Sequence, residues 1–66
     1  MVNAQKIKEL MQEKGIANKE MAETVGVSEA MMTYITRGLR EPNVRTLALI
    51  AHKLDVTVDE LLTFNV

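Results

Sequence analysis

The sequence contains no cysteine and only one histidine, which narrows the chemistry open to it. Without cysteine there are no disulfide bonds and no thiolate ligands for a metal. His52 lacks a second imidazole to complete a metal site, so we expect it to be an ordinary surface side chain. Ser28 has no base beside it in a recognisable arrangement that would make it a nucleophile. We therefore expect no metal, no cofactor and no enzymatic activity.

Long apolar runs are also missing from the chain. No stretch approaches the roughly 18 apolar residues of a membrane span, and the N-terminus lacks the hydrophobic segment of a signal peptide. The 66 residues show no repeat, low-complexity tract or linker, so we expect one domain covering residues 1–66. A chain this short buries only about 60% of its unfolded surface, which leaves little room for an enzyme cleft. We expect a soluble cytoplasmic protein with no membrane partner and no small-molecule ligand.

The chain has no overall excess of basic charge, because 8 lysines and arginines stand against 9 aspartates and glutamates. The charges are unevenly distributed, however. The segment 37–53 contains four basic residues and a single acid, Glu41, whereas three acids lie near the C-terminus. A local basic patch with an acidic far side is compatible with binding a polyanion in one orientation. The low net charge also predicts weak nonspecific binding.

The segment 18–35 has the pattern of two short helices joined by a sharp turn. Met21 and Val25 are four residues apart and share one helical face, and Met32 and Ile35 are three apart and share another. Between the two pairs, Gly26 suits the end of a helix and Ser28 suits the start of the next. This arrangement predicts a helix-turn-helix, in which the second helix can enter a DNA major groove.

Capping residues and apolar periodicity extend this to an all-α fold. Asn3 and Gly15 bound the first helix, Pro42 separates the third from the fourth, and Thr57 with Glu60 forms a capping box for a short last helix. The fourth helix has the clearest apolar stripe, made of Val44, Leu47, Ile50, Ala51 and Leu54. The five predicted helices cover about residues 3–14, 18–25, 29–37, 43–54 and 58–63.

The segment from Gly15 to Leu62 resembles the Cro and lambda-repressor-like helix-turn-helix domain, also called the Xre type. The family-like pieces are IKELMQEKGI, MAETVGVS, ITRGLREPNVRTLALIAHKL and VTVDELL. The resemblance implies a compact five-helix domain that binds double-stranded DNA, usually as a dimeric transcriptional regulator on a pseudo-palindromic operator. Ala17 and Asn18 replace the usual Thr and Gln, so Asn18 is expected to cap the second helix or its end to fray. Asp55 stands at a helix end where the family commonly has Gly, and is expected to visit the left-handed conformation.

Three sets of site residues follow from these patterns. The outward face and N-terminal end of the third helix predict base readout by Ser28, Glu29, Ala30, Thr33 and Tyr34. The resemblance implies phosphate contacts from Asn18, Arg37, Arg40, Asn43 and Arg45. Apolar residues of helix four and the C-terminal segment predict a homodimer interface of Leu49, Val58, Leu62, Phe64 and Val66.

A second class of function is a protein-interaction regulator on the same fold, for example an antitoxin-like component. The acidic charge balance and the residues Ala17, Met31, Leu39 and Leu49 favour this alternative. The basic residues between Arg37 and Arg45 favour DNA binding instead.

Overall fold

The computed structural model describes residues 1–63 as four α-helices followed by one 3-10 turn. The helices are α1 (Ala4–Lys14), α2 (Asn18–Val25), α3 (Glu29–Thr36) and α4 (Val44–Leu54), and the turn is Val58–Leu61. The predicted dimer residues Phe64 and Val66 lie outside the described residues. None of the helices within residues 1–63 combines the length and the apolar content that crossing a membrane requires.

The prediction of a fifth α-helix is wrong, although its start was placed correctly. Thr57 and Glu60 form the expected capping box, in which the Thr57 backbone N–H donates to Glu60 Oε2 at 2.7 Å. The segment then makes a single 3-10 turn, and Leu62 follows with the extended angles φ −105° and ψ 146°. The extended backbone at Leu62 allows this residue to pair with the N-terminal segment.

This pairing joins the two ends of the described chain. Val2 and Leu62 form an isolated antiparallel bridge. The Asn3 N–H donates to the Leu61 carbonyl at 2.8 Å, and the Thr63 N–H donates to the Met1 carbonyl at 2.8 Å. The bridge was not predicted from the sequence.

The helix ends follow the capping residues of the sequence in most places. The Asn3, Ser28 and Asn43 side chains accept hydrogen bonds from the backbone N–H groups of Lys6, Met31 and Thr46 respectively. Gly26 ends α2 with a φ of 76°, and Asp55 ends α4 with a φ of 58°, so the left-handed conformation expected of Asp55 is confirmed. The N-terminus of α2 differs, because Ala17 is the N-cap and makes no side-chain hydrogen bond. Asn18 is the first helical residue and not the cap.

The helices enclose one apolar core, to which both helices of the helix-turn-helix, α2 and α3, contribute. Met21 from α2, Met32 from α3, and Ile50 and Leu54 from α4 are fully buried in one apolar cluster, to which Leu61 from the 3-10 turn also belongs. The apolar stripe of α4 is confirmed except at Val44, which is 86% exposed. Val44 lies in the first turn of α4 on the side that faces solvent, whereas Thr46 and Leu47 of the same turn are buried.

Candidate nucleic-acid interface

The outer face of α3 is presented to solvent because its inner face is fixed in the core. Met32 and Ile35 are 0% and 2% exposed, so the direction of the helix is set by their burial. Ser28, Glu29, Ala30 and Tyr34 are exposed and Thr33 is half-buried. The structure thus brings the five predicted reading residues onto one side of the helix and its N-terminal end.

Thr33 and Asn18 form a small polar cluster between α3 and α2. The Asn18 Nδ2 group donates to the Glu29 carbonyl at 3.1 Å and to Thr33 Oγ1 at 3.3 Å. The Thr33 hydroxyl in turn donates to the Glu29 carbonyl at 3.0 Å. These bonds use the hydroxyl hydrogen and one acceptor position of Thr33, so the hydroxyl cannot donate outward and the methyl group is the apolar part left for an outside contact. The Asn18 amide hydrogens are likewise used, so they are not free for the phosphate contact that the family resemblance implied.

The basic residues lie around the loop between α3 and α4. Arg37 follows the last residue of α3, Arg40 lies in the loop and Arg45 lies in the first turn of α4, and all three are exposed. The loop is folded back on α3 by hydrogen bonds from the Leu39 and Arg40 N–H groups to the Tyr34 carbonyl, at 2.9 and 3.3 Å. Asn43 is exposed at the N-cap of α4. The hydrogen bonds to the Tyr34 carbonyl place Arg40 beside Tyr34, at the C-terminal end of the exposed face of α3.

The three arginines are available for an external anion. The ion pair found within residues 1–63 joins Lys53 to Glu20 at 3.1 Å and involves none of them. Their guanidinium N–H groups therefore remain available as donors. The planar guanidinium group can bind two phosphate oxygens at once.

An open cavity of about 200 Å³ lies between α3 and the start of α4. This cavity could not be predicted from the sequence, because its walls come from separate segments. Its lining residues are Val27, Met31, Ile35, Glu41, Pro42, Asn43 and Thr46. The apolar residues outnumber the polar ones, so the cavity is better suited to an apolar side chain than to an ion.

The predicted dimer residues that the structure describes are only partly free. Leu49, Val58 and Leu62 are half-buried and pack against the core from its edge, whereas Leu61 is fully buried. Leu49 and Val58, which the sequence predicts as interface residues, thus also have a packing role within the domain. Their remaining surface lies on α4 and the 3-10 turn, which contact each other.

Comparisons with known proteins agree with this architecture. Residues 7–61 match the family model HTH_3, described as helix-turn-helix. The HTH-type transcriptional regulator SinR of Bacillus subtilis is 37% identical over 59 residues, which make up 88% of this chain and 53% of SinR. The chain thus spans about half the length of the curated relatives it matches.

Two solved structures extend the likeness to three dimensions. A crystal structure of SinR in complex with DNA superposes with a TM-score of 0.81 at 36% identity, covering 91% of this chain and 97% of that one. The DNA-binding domain of the P22 C2 repressor gives a TM-score of 0.83 at 21% identity, covering 98% and 92%. The second likeness shows the fold alone, which is the lambda-repressor-like arrangement that the sequence predicted.

Proposed function

Because the chain belongs to the HTH_3 helix-turn-helix family, we propose that it is a sequence-specific DNA-binding repressor of transcription. The observation that carries this proposal is the exposed outer face of α3, with Glu29, Ala30 and Tyr34 free of the core. A helix held in this way can lie in the major groove, where base edges are distinguishable. The arginines at the end of this face contact the phosphates and fix the register of the helix.

The experiment that tests this function is a selection from a random duplex pool, followed by titration of the selected duplex at two salt concentrations. A recurring site, bound with an affinity that falls steeply as salt rises, is expected because phosphate contacts release counterions. Recovery of no common sequence, with binding that hardly depends on salt, would reject the proposal.

Replacing Arg40 by alanine is expected to weaken binding to all duplexes similarly. The reason is that a phosphate contact carries no sequence information, so its loss removes affinity without changing preference. The slope of log affinity against log salt concentration should become shallower by about one. Lys8→Ala in α1 makes the same change of charge away from the loop and should leave the slope unchanged. An unaltered slope in the Arg40 variant would contradict the phosphate assignment.

Glu29 is proposed to read cytosine, since a carboxylate can accept a hydrogen bond from the cytosine amino group. Its carboxylate makes no hydrogen bond or ion pair within residues 1–63. Glu29→Gln is therefore expected to shift base preference at one symmetric pair of positions by about 1 to 3 kcal/mol, measured by repeating the selection. Glu23→Gln in α2 controls for the charge. If Glu29 only stabilises the start of α3, the variant will bind every sequence more tightly and select an unaltered site.

We further propose that the protein binds a pseudo-palindromic operator as a homodimer. One copy presents five reading residues, and two-fold pairing doubles the length of sequence that is read. The domain measures 34 × 21 × 19 Å, which allows two copies to occupy successive major grooves about 34 Å apart on one side of the duplex. The half-buried residues Leu49, Val58 and Leu62 would supply the interface, together with the predicted residues of the C-terminal tail.

A second candidate is a protein-interaction regulator on the same fold, an antitoxin-like component with weak DNA binding. The net charge of −1 favours it, as do Leu39 and Val44, which are 63% and 86% exposed and flank in sequence the segment 41–43 that lines the cavity. Exposed apolar groups at the edge of a groove are typical of protein-binding surfaces. Weak, sequence-independent duplex binding in the titration above would favour this second function.

A further inference from the structure

Glu41 is the single acid between Arg37 and Lys53, and it lies next to Arg40 in the basic loop. A carboxylate at this place repels the phosphates that Arg40 is proposed to bind, and by itself it lowers the affinity for DNA. Its side chain nevertheless makes a specific hydrogen bond within the domain. The Glu41 Oε2 and Oε1 atoms lie 3.2 and 3.4 Å from the backbone nitrogen of Val2, so the carboxylate accepts that N–H group across 39 residues of chain.

The middle of the loop between α3 and α4 makes few other polar contacts. The first part of the loop is held to α3 through the Tyr34 carbonyl, and its last residue, Asn43, caps α4. Between them, neither Glu41 nor Pro42 takes part in a backbone hydrogen bond outside the helices of residues 1–63. Pro42 has no N–H to donate. The Glu41 side chain therefore supplies the polar contact that fixes the middle of the loop.

Val2 is itself a fixed point and not a free end. Its bridge to Leu62 is flanked by the hydrogen bonds from Asn3 to Leu61 and from Thr63 to Met1, both 2.8 Å long. The Val2 side chain also packs against the edge of the core. A contact to the Val2 N–H thus anchors the loop to the part of the fold where both ends of the described chain meet.

We propose that Glu41 is a positioning residue for DNA binding, which holds Arg40 and the start of α4 in place by accepting the Val2 N–H. This inference rests on the proposed DNA-binding function and adds a role for an acid that the charge pattern alone would count as unfavourable. It also couples the paired ends of residues 1–63 to the loop that contacts the phosphates. A change in the bridge between Val2 and Leu62 then alters the affinity for DNA, although the bridge itself does not contact the DNA.

The sign of the effect of Glu41→Ala tests this role. Loss of the hydrogen bond is expected to weaken binding to the selected duplex about three- to tenfold. Simple removal of a repelling charge would instead tighten binding. Glu13→Ala in α1 makes the same charge change without touching the loop and serves as the matched control. Glu41→Gln keeps one oxygen acceptor and loses the charge, so it should recover most or all of the affinity.

Two further measurements connect the effect to Val2. Val2→Pro removes the donor, so Glu41→Ala should cost nothing further in that background; a full additional loss would overturn the proposal. If the proline variant does not fold, the NMR shift of the Val2 amide proton in the DNA-free protein decides. It should move upfield in Glu41→Ala and stay in place in Glu13→Ala.

The outcomes separate this inference from the function on which it rests. An unmoved Val2 amide, or a Glu41→Ala protein that binds as tightly as the control, overturns the positioning role while leaving DNA binding intact. A wild-type protein that binds no duplex, with the amide shift present, rejects the proposed DNA function and with it the role of Glu41 there.

Discussion

Replacing Ile50 by alanine is expected to lower the free energy of unfolding by about 2 to 5 kcal/mol. Ile50 is 0% exposed in α4, so the substitution removes three buried carbon atoms and leaves a cavity between the helices. A domain of this size has a total stability of only a few kcal/mol, because its single core is small. Urea titration followed by circular dichroism should therefore show a variant that is largely unfolded in buffer, and DNA binding should be lost with the fold.

The matched control is Val44→Ala, which truncates another branched apolar residue of the same helix. Val44 is 86% exposed, so its loss should change the stability by no more than about 0.5 kcal/mol. Both variants place alanine in α4, which keeps the difference in helix propensity similar. A Val44 variant as unstable as the Ile50 variant would mean that the Val44 side chain is covered, contrary to the structure.

This pair also shows what apolar periodicity can and cannot predict. The spacing of Leu47, Ile50 and Leu54 identifies the face of α4 that is buried, because a helix repeats every 3.6 residues. It also includes Val44, since the pattern has no information about where the neighbouring elements end. Burial of a residue on the correct face depends on what packs over it, and that is decided by tertiary structure.

The end of the fold was harder to predict for a related reason. The capping box of Thr57 and Glu60 is a local signal and predicted the start of the last element. The pitch and length of that element depend on the bridge between Leu62 and Val2, which are distant in sequence. Because Leu62 is extended and pairs with Val2, the turn ends at Leu61 and does not continue as an α-helix.

The candidate interface was predicted where local geometry decides it and missed where distant side chains meet. The angular positions of the residues around the axis of α3 were enough to identify Glu29, Ala30 and Tyr34 as exposed. The direction of the Asn18 amide toward Thr33, 15 residues away, was not accessible in this way. The same is true of the contact between Glu41 and Val2, which has no periodicity or capping motif behind it.

Leu49→Lys is expected to weaken binding to a full operator by about 100-fold or more, because it should disrupt the proposed homodimer. Leu49 is half-buried on α4, and a charged group there cannot be covered by a second copy without a large desolvation cost. Two linked domains bind a double site far more tightly than either alone, and that advantage is lost in a monomer. Sedimentation equilibrium should show the change from dimer to monomer, and a duplex titration should show the loss of affinity.

The choice of lysine makes the direction of this result informative. An added positive charge attracts DNA, so the substitution would tighten binding if it acted only through electrostatics. Ala48→Lys adds the same charge at the neighbouring exposed position of α4 and should bind as tightly as the wild type or slightly better. On a duplex with a single half-site, Leu49→Lys should bind as tightly as the wild type or slightly better, since the exposed face of α3 is unchanged. A wild-type protein that sediments as a monomer at high micromolar concentration would reject the homodimer, and a Leu49→Lys protein that stays dimeric would move the interface away from this face of α4.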